Sequence, residues 1–325
     1  MSSSTPKSVS ISMELVFPST AAKVITLIQL IYGIPSFLLM ILFFFFLGCS
    51  KNYSNSFYRL VQLDLLTNIL CYFNTWIGMR IEKHPSGVLF LKALESLIPG
   101  LIGISKIGLN FFMHMQFCSS AALSIHRITS TVFFSKYEKF WSRFYLLYGL
   151  LTAIYSLLPD LFISERSVEV SVINDTLTVT YHLEALGQAV FQTAVLSVVY
   201  FILLIVIGLT TAVMVSRVIK TYNNDDRGVS KKLTKIALTY GSVYTGILLW
   251  SVITALNNYL WFLPDIILVI NSDLLMFSSD MMTLALPYVL LIFDSNVRRD
   301  MLQMFSWRRT DGTTNIFVSS SSTNK

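Results

Sequence analysis

Seven long apolar stretches constrain the fold of this 325-residue sequence more than any other feature. A helix needs about 20 mostly apolar residues to cross a bilayer, and each stretch reaches that length. Backbone in lipid must satisfy its own hydrogen bonds, and barrel strands are only about 10 residues long, so the stretches predict membrane-spanning helices. The predicted spans are residues 24–48, 58–79, 100–126, 142–163, 187–216, 233–256 and 268–293.

The composition excludes several classes of protein. Charged residues make up 13% of the chain and hydrophobic residues 54%, which leaves too few polar groups to cover a soluble protein of this size. This argues against a cytosolic enzyme, and the high hydrophobicity argues against disorder. The sequence contains no HExxH or GxSxG motif, and its three cysteines lack metal-site spacing. We therefore predict a protein that is not an enzyme and uses no metal or cofactor.

The distribution of basic residues predicts the orientation. Of the 24 Lys and Arg residues, 17 lie in the connectors on the C-terminal side of the bundle and 6 in those on the N-terminal side. Basic residues stay cytoplasmic, so the N-terminus is predicted outside and the C-terminus inside. The net charge of +6 thus indicates membrane orientation and not nucleic-acid binding. The sequon at Asn174 would then lie outside and is a candidate glycosylation site, whereas the sequon at Asn52 would lie inside and stay bare.

The predicted fold is an all-α membrane protein, a seven-transmembrane helix bundle with the N-terminus outside. After the last span, apolar residues recur at helical spacing among arginines, which predicts a short amphipathic helix on the inner leaflet of the lipid bilayer. The organisation is an extracellular N-terminus at 1–23, the bundle at 24–293, the juxtamembrane helix at 294–309 and a flexible cytoplasmic tail at 310–325.

Ionisable residues inside spans are costly, so each is a functional hypothesis. Lys106 and Asp273 lie at similar depths from the outer side, which allows a salt bridge between spans 3 and 7. One face of span 3 carries Lys106, Asn110 and Met113 or His114, and one face of span 7 carries Asp273, Phe277 and Asp280. One interpretation is that these two polar and aromatic stripes line an outward-open crevice; the other is that Lys106 snorkels and the stripes only hold helices together. The candidate ligand-binding residues are Asn110, Met113, His114, Gln192, Trp250, Asp273, Phe277 and Asp280.

Other polar groups predict an interhelical network. Asp64 and Asn68 share one face of span 2, where the carboxylate would hold water or a cation, or simply bond to a neighbouring helix. Pro287 interrupts span 7 and is followed by Tyr288. Together with Lys106, these residues form the predicted network.

The cytoplasmic junctions carry a separate group of candidates. Arg127 is the first charge after span 3, and it either snorkels or reaches neighbouring helix ends and holds a closed state. The basic connector between spans 5 and 6 would meet anionic lipid or an acidic partner. The candidate residues for coupling to a cytoplasmic partner protein are Arg127, Lys231, Lys232 and Lys235.

Four segments of this sequence resemble the nematode serpentine receptor class gamma family. They are FYRLVQLDLLTN at 57–68, FMHMQF at 112–117, SIHRITS at 124–130 and PYVLLIFDSNVR at 287–298, and the likeness runs across residues 20–305. Arg127 resembles the arginine of the acidic-Arg-Tyr motif of rhodopsin-like receptors, although His126 stands in place of the acid.

The resemblance implies a chemosensory G-protein-coupled receptor, which couples an external small-molecule ligand to a heterotrimeric G protein, in the plasma membrane of sensory cells. A ligand would shift the bundle between resting and active arrangements. The alternative is a multi-pass transporter or channel that uses the buried Asp and Lys residues. Transporters often show repeated halves with broken helices, which this sequence lacks. The ligand, the G-protein subtype and the oligomeric state are not specified by the sequence.

Overall fold

The structure is a computed structural model that describes residues 8–13, 20–133, 136–161, 168–222, 227–260 and 264–307. Nine α-helices account for most of these described residues. Seven of these helices are 20 to 40 residues long, and they coincide with the seven apolar stretches. The bounds are α1 Thr20–Cys49, α2 Ser56–Thr75, α3 Pro85–Leu97, α4 Leu101–Val132, α5 Tyr137–Leu161, α6 Leu183–Tyr222, α7 Arg227–Leu260, α8 Asp265–Phe293 and α9 Ser295–Trp307.

Length and apolarity identify three helical segments, within the described part of the chain, that could each cross a membrane. They are Lys23–Cys49, Leu183–Met214 and Asp273–Phe293. The pair Pro85–Leu97 and Leu101–Ser130 would supply a fourth, although the two helices meet at an angle of 104°. Helix α7 contains a shorter apolar segment, Ser242–Asn257. These helices support a helical membrane protein.

The sharp bend between α3 and α4 has a local cause. Gly100 adopts the left-handed conformation with φ 86°, which glycine tolerates because it has no Cβ. The buried carboxylate of Glu95 accepts hydrogen bonds from the backbone N–H groups of Gly100 (2.5 Å) and Ile102 (3.1 Å). It therefore satisfies two amide groups at the start of α4 that have no partner within the helix.

A three-stranded antiparallel sheet lies in segments that the sequence analysis assigned to connectors. Its strands are β1 Ser8–Ser12, β2 Val168–Ile173 and β3 Thr176–His182, in the order β1-β3-β2. The two residues between β2 and β3, Asn174 and Asp175, have φ values of 49° and 61°. Two positive φ angles are typical of the turn that joins twisted hairpin strands. The prediction of an all-α chain is therefore wrong for this small sheet.

The sheet packs on α3 and the start of α4 through a compact apolar cluster. The alternation of side chains along β2 and β3 turns one face of the sheet inward, as strand geometry requires. The sheet was not predicted because its strands are only five to seven residues long and do not stand out beside the long apolar stretches. The buried members are Met13, Val88, Leu91, Ile102, Val170, Leu177 and Val179.

A second compact unit begins at Tyr288, and the structure describes its residues 288–307. Helix α9 begins after Asp294, whose carboxylate accepts hydrogen bonds from the backbone N–H groups of Asn296 (3.1 Å) and Val297 (3.2 Å). This is the usual arrangement of an N-terminal helix cap. Val297 and Met301 are buried one helical turn apart, whereas Arg298 and Arg299 are exposed. Residues 308–325, with the predicted tail at 310–325, lie outside the described residues.

Candidate functional site

A cavity of about 410 Å³ lies among the long helices. Side chains from α2, α4, α6, α7 and α8 line it, together with Val168 of β2 and Tyr181 of β3. Helix α4 contributes a continuous stripe to its wall: Lys106, Asn110, Met113 and Gln116 recur at intervals of three or four residues, which places them on one helix face. Ten residues separate Lys106 from Gln116, so the stripe extends about 15 Å along the helix axis.

An ion pair lies at the end of this stripe nearest the sheet. The Lys106 ammonium donates to the Glu82 carboxylate at 2.6 Å and to the Gly78 carbonyl at 3.1 Å. The short helical turns after α2 bring Glu82 over α4, so this acid reaches Lys106. The predicted salt bridge between Lys106 and Asp273 is therefore wrong, because Lys106 pairs with Glu82. Depth counted along ideal helices could not anticipate those turns.

Asp273 instead faces Lys83, which neighbours Glu82. Burial lowers the pKa of Lys83, and the negative charges of Asp273 and Glu82 oppose that effect. The Lys83 ammonium lies 3.1 Å from the sulfur of Met276. Lys83 and Lys106 thus each have an acidic group nearby.

Tyr181 joins this ion-pair region to a second, smaller cavity. That cavity is about 240 Å³ in volume and lies under the sheet, between Ile11 and Lys83. Glu82 and Tyr181 line both cavities. Burial, and then the negative charge of Glu82, raise the pKa of Tyr181, so its hydroxyl stays protonated and can donate a hydrogen bond.

Gln116 lies at the opposite end of the α4 stripe, in a hydrogen-bonded layer that links α2, α4 and α8. Its side-chain N–H₂ donates to Asn68 Oδ1 at 2.6 Å and to the Thr283 hydroxyl at 3.0 Å. The Tyr244 hydroxyl of α7 donates to the backbone carbonyl of Gln116 at 3.1 Å. Tyr244 also lies 2.5 Å from the Ser120 hydroxyl. This layer forms the floor of the larger cavity.

Aromatic rings pack close to this layer. Phe117 stacks on Tyr200 and Tyr244, with ring centroids 4.7 and 4.4 Å apart. The Tyr200 hydroxyl lies 3.1 Å from His114 Nδ1 and 2.7 Å from the Tyr155 hydroxyl. His114 is fully buried in this cluster and faces Tyr200. Helices α4, α5, α6 and α7 are thereby joined at one level.

The structure separates the predicted ligand-binding residues into two groups. Three of the eight, Asn110, Met113 and Trp250, line the larger cavity. Helix α8 presents Leu275, Ser279 and Met282 to that cavity, and this face differs from the predicted one. The residues that do not line it are His114, Gln192, Asp273, Phe277 and Asp280.

Asp280 belongs to a buried ionic cluster between α1, α8 and the helical turn Trp76–Arg80 that follows α2. The Arg80 guanidinium donates to Asp280, and both side chains are 2% exposed. The Tyr32 hydroxyl of α1 donates to the other carboxylate oxygen at 2.5 Å. Arg80 also lies over the rings of Tyr72 and Trp76, at 5.3 and 5.2 Å. Arg80 directly follows the second apolar stretch and was counted among the connector residues, so its buried pairing with Asp280 was not predicted.

The predicted interhelical network is distributed over several places. Asp64 is buried in α2 and hydrogen-bonded to the Ser119 side chain of α4. Asn68 bonds to Gln116, as described above, while Lys106 lies at the ion pair with Glu82. Pro287 lies within α8, and Tyr288 is 42% exposed. These residues therefore do not form one connected cluster.

A polar cluster ties together the ends of α2, α4 and α5 on the predicted cytoplasmic side. Glu138 accepts hydrogen bonds from the backbone N–H and the hydroxyl of Ser56, both at 2.7 Å. The same hydroxyl lies 2.8 Å from His126 Nε2. Burial alone would raise the pKa of Glu138, but hydrogen bonds from Ser56 and Ser142 outweigh it and lower the pKa.

The predicted G-protein-coupling residues lie on two segments. The Arg127 guanidinium is 5.4 Å from the ring centroid of Phe57 at the start of α2. Lys231, Lys232 and Lys235 fall within α7, but their side chains lie outside the described residues. Among the residues that the structure describes, no group of three His, Cys, Asp or Glu side chains is placed to hold a metal ion.

Comparison with known proteins identifies relatives along most of the chain. Residues 26–301 match the family model described as Srg family chemoreceptor. Serpentine receptor class gamma-47 of Caenorhabditis elegans is 36% identical over 275 residues, which cover 85% of this chain and 89% of that protein. Serpentine receptor class gamma-53 of the same organism is 30% identical over 285 residues, which cover 84% of this chain and 90% of that protein.

Proposed function

This chain belongs to the Srg family of chemoreceptors, and on that premise we propose that it binds an external small molecule and signals to a heterotrimeric G protein. The observation that carries the proposal is the cavity of about 410 Å³ with its stripe on α4. Its volume lies in the range of small-molecule sites. A bound molecule would contact five long helices at once, so it can favour one arrangement of the bundle over another. We propose that it acts as a receptor and not as an enzyme, in keeping with the chemoreceptor family.

We propose that the seven long helices cross the plasma membrane of sensory cells, with the N-terminus outside. The excess of Lys and Arg on the C-terminal side supports this orientation. In that arrangement the sheet covers the outer end, α9 lies on the inner leaflet and residues 310–325 form a cytoplasmic tail. Arg127 with Lys231, Lys232 and Lys235 would form the face for the G protein.

The ligand site that we propose keeps Asn110, Met113 and Trp250 from the sequence analysis and adds Lys106 and Gln116, because all five line the same cavity. Two of the other sequence candidates lie outside that wall and have partners of their own. His114 packs against Tyr200, and Asp280 binds Arg80.

The buried charges favour a receptor over a transporter or channel. A path for ions or protons needs ionisable groups that follow one another across the membrane. Here Asp64, Lys106 and Asp280 lie in different clusters, each with its own bonding partner. The larger cavity ends at the layer around Gln116, where polar side chains are bonded to one another and aromatic rings are stacked.

Glycosylation provides a test of the orientation. Asn174 lies at the tip of the β2–β3 turn, where an oligosaccharide has room, so we expect the protein from eukaryotic cells to carry a glycan there. Asn174→Gln should abolish the increase in gel mobility on enzymatic deglycosylation. Asn52→Gln, the matched control in the other sequon, should leave it unchanged. A glycan on Asn52 would contradict the proposed orientation.

Reconstitution provides the test of the function. The receptor in vesicles with a heterotrimeric G protein should accelerate nucleotide exchange when a panel of alcohols, ketones and carboxylic acids is applied. Arg127→Ala should reduce the response at least tenfold, whereas Arg143→Ala, a control at an exposed position of α5 outside the proposed face, should retain it. Probe-dependent currents in vesicles without G protein would support the channel instead.

A further inference from the structure

The floor of the larger cavity contains a hydrogen-bond acceptor without a partner. Gln116 is 2% exposed, and both bonds of its amide group involve the nitrogen, which donates to Asn68 and Thr283. Its oxygen, Oε1, is buried and forms no hydrogen bond among the described residues. A buried acceptor without a donor costs free energy. Gln116 lines the cavity, so a turn of its side chain toward a molecule that fills the cavity would let that molecule supply the missing donor.

The remainder of the cavity disfavours a ligand that carries a charge. At its other end the Lys106 ammonium is already neutralised by Glu82 and bonded to the Gly78 carbonyl. A carboxylate or an ammonium group on the ligand would have to displace one partner of that pair. Between the two ends the wall is mostly apolar, with Ile107, Met113, Val190, Ile247, Leu275 and Met282. Burial of apolar surface therefore dominates the affinity.

We infer that the cavity binds a neutral, elongated, mostly apolar molecule whose inner end carries a hydroxyl or N–H group that donates to Gln116 Oε1. The distance of about 15 Å between Lys106 and Gln116 limits the length of the molecule. This inference rests on the proposed function, because it specifies the ligand class of the same site. It assigns the selectivity to Gln116, which the sequence analysis did not include among the ligand-binding residues.

The test uses a defined set of probes on the full chain in vesicles without G protein. A decanol derivative that carries a diazirine labels the site on illumination, and mass spectrometry locates the label. Unlabelled 1-decanol, its methyl ether and decanoate then compete. The alcohol should compete about 10- to 100-fold better than the ether, because only the alcohol donates a hydrogen bond. Decanoate should compete less well than the alcohol.

Two variants with the same substitution separate the role of Gln116 from a general effect on folding. Gln116→Met keeps the approximate length of the side chain but removes Oε1, so the preference for alcohol over ether should fall to about twofold or less. Gln192→Met changes a partly buried glutamine on α6 that does not line the cavity, and it should keep the preference. If Gln116→Met fails to fold, the comparison of alcohol with ether in the unaltered receptor decides the question.

Three results would overturn the inference: equal competition by alcohol and ether, the strongest competition by decanoate, or labelling outside the cavity. A failure of the proposed function would look different. The probes would then bind with the expected preference, but nucleotide exchange on an added G protein would not change.

Discussion

Asp280→Asn is expected to lower the free energy of unfolding by about 3–5 kcal/mol, because it leaves a buried charge without its partner. The Arg80 guanidinium is buried to the same degree as Asp280, so loss of the carboxylate charge leaves it uncompensated away from the surface. Thermal unfolding of the purified receptor in detergent, followed by the loss of the monodisperse species, measures the effect.

Asp175→Asn is the matched control for this experiment. The Asp175 carboxylate pairs with Lys92 at 2.9 Å, but its side chain is 92% exposed. The same chemical change should therefore cost at most about 1 kcal/mol. The double variant Arg80→Met with Asp280→Leu should recover most of the stability, because apolar residues of similar size avoid the desolvation cost. A decrease no larger than that of Asp175→Asn would show that the buried pair contributes little.

Glu138→Ala is expected to raise the basal rate of nucleotide exchange on the G protein. Glu138 accepts two hydrogen bonds from Ser56, so its loss frees the start of α2 from the start of α5. If these bonds stabilise the resting arrangement by about 1–3 kcal/mol, the active fraction should rise roughly 5- to 150-fold. The comparison is made in reconstituted vesicles at equal receptor density.

Ser142→Ala is the control for Glu138→Ala. Ser142 is exposed and donates to the same carboxylate at 3.0 Å, but it does not connect α5 to α2. Its loss should change the basal rate less than twofold.

Acidification should act in the same direction as Glu138→Ala and raise the basal rate of nucleotide exchange. The lowered pKa means that the ionised carboxylate contributes stability above its unfolded pKa, and this contribution is lost as the pH falls through the folded pKa. Unchanged basal exchange in Glu138→Ala would contradict the proposed role of the cluster.

The long helices could be predicted from the sequence because their signal is simple. An apolar stretch of sufficient length has few alternatives in lipid, so the positions of α1, α6 and α8 follow from composition alone. The family could also be predicted, because four short segments carry the resemblance and the relatives confirm it. The sheet could not be predicted, because β1 pairs with β3 across more than 160 residues of sequence and the strands are only five to seven residues long.

The candidate site was predicted less completely, for reasons of geometry. Periodicity along α4 grouped Lys106, Asn110 and Met113 or His114 on one face, and of these only His114 does not line the larger cavity. It could not determine which face of α8 turns toward that wall, and the chosen face, with Phe277 and Asp280, lies toward Tyr32 of α1. The rotation of a helix about its axis depends on all its neighbours at once.

The sheet described above has a consequence for the exchange of recognition properties between relatives. Its central strand, β3, is held on one side by β2 of the same hairpin and on the other by β1 from the far end of the chain. A chimaera that receives only the hairpin of another receptor would inherit a mismatched edge opposite Val179 and Tyr181. Grafts should therefore move residues 8–12 and 168–182 as one unit.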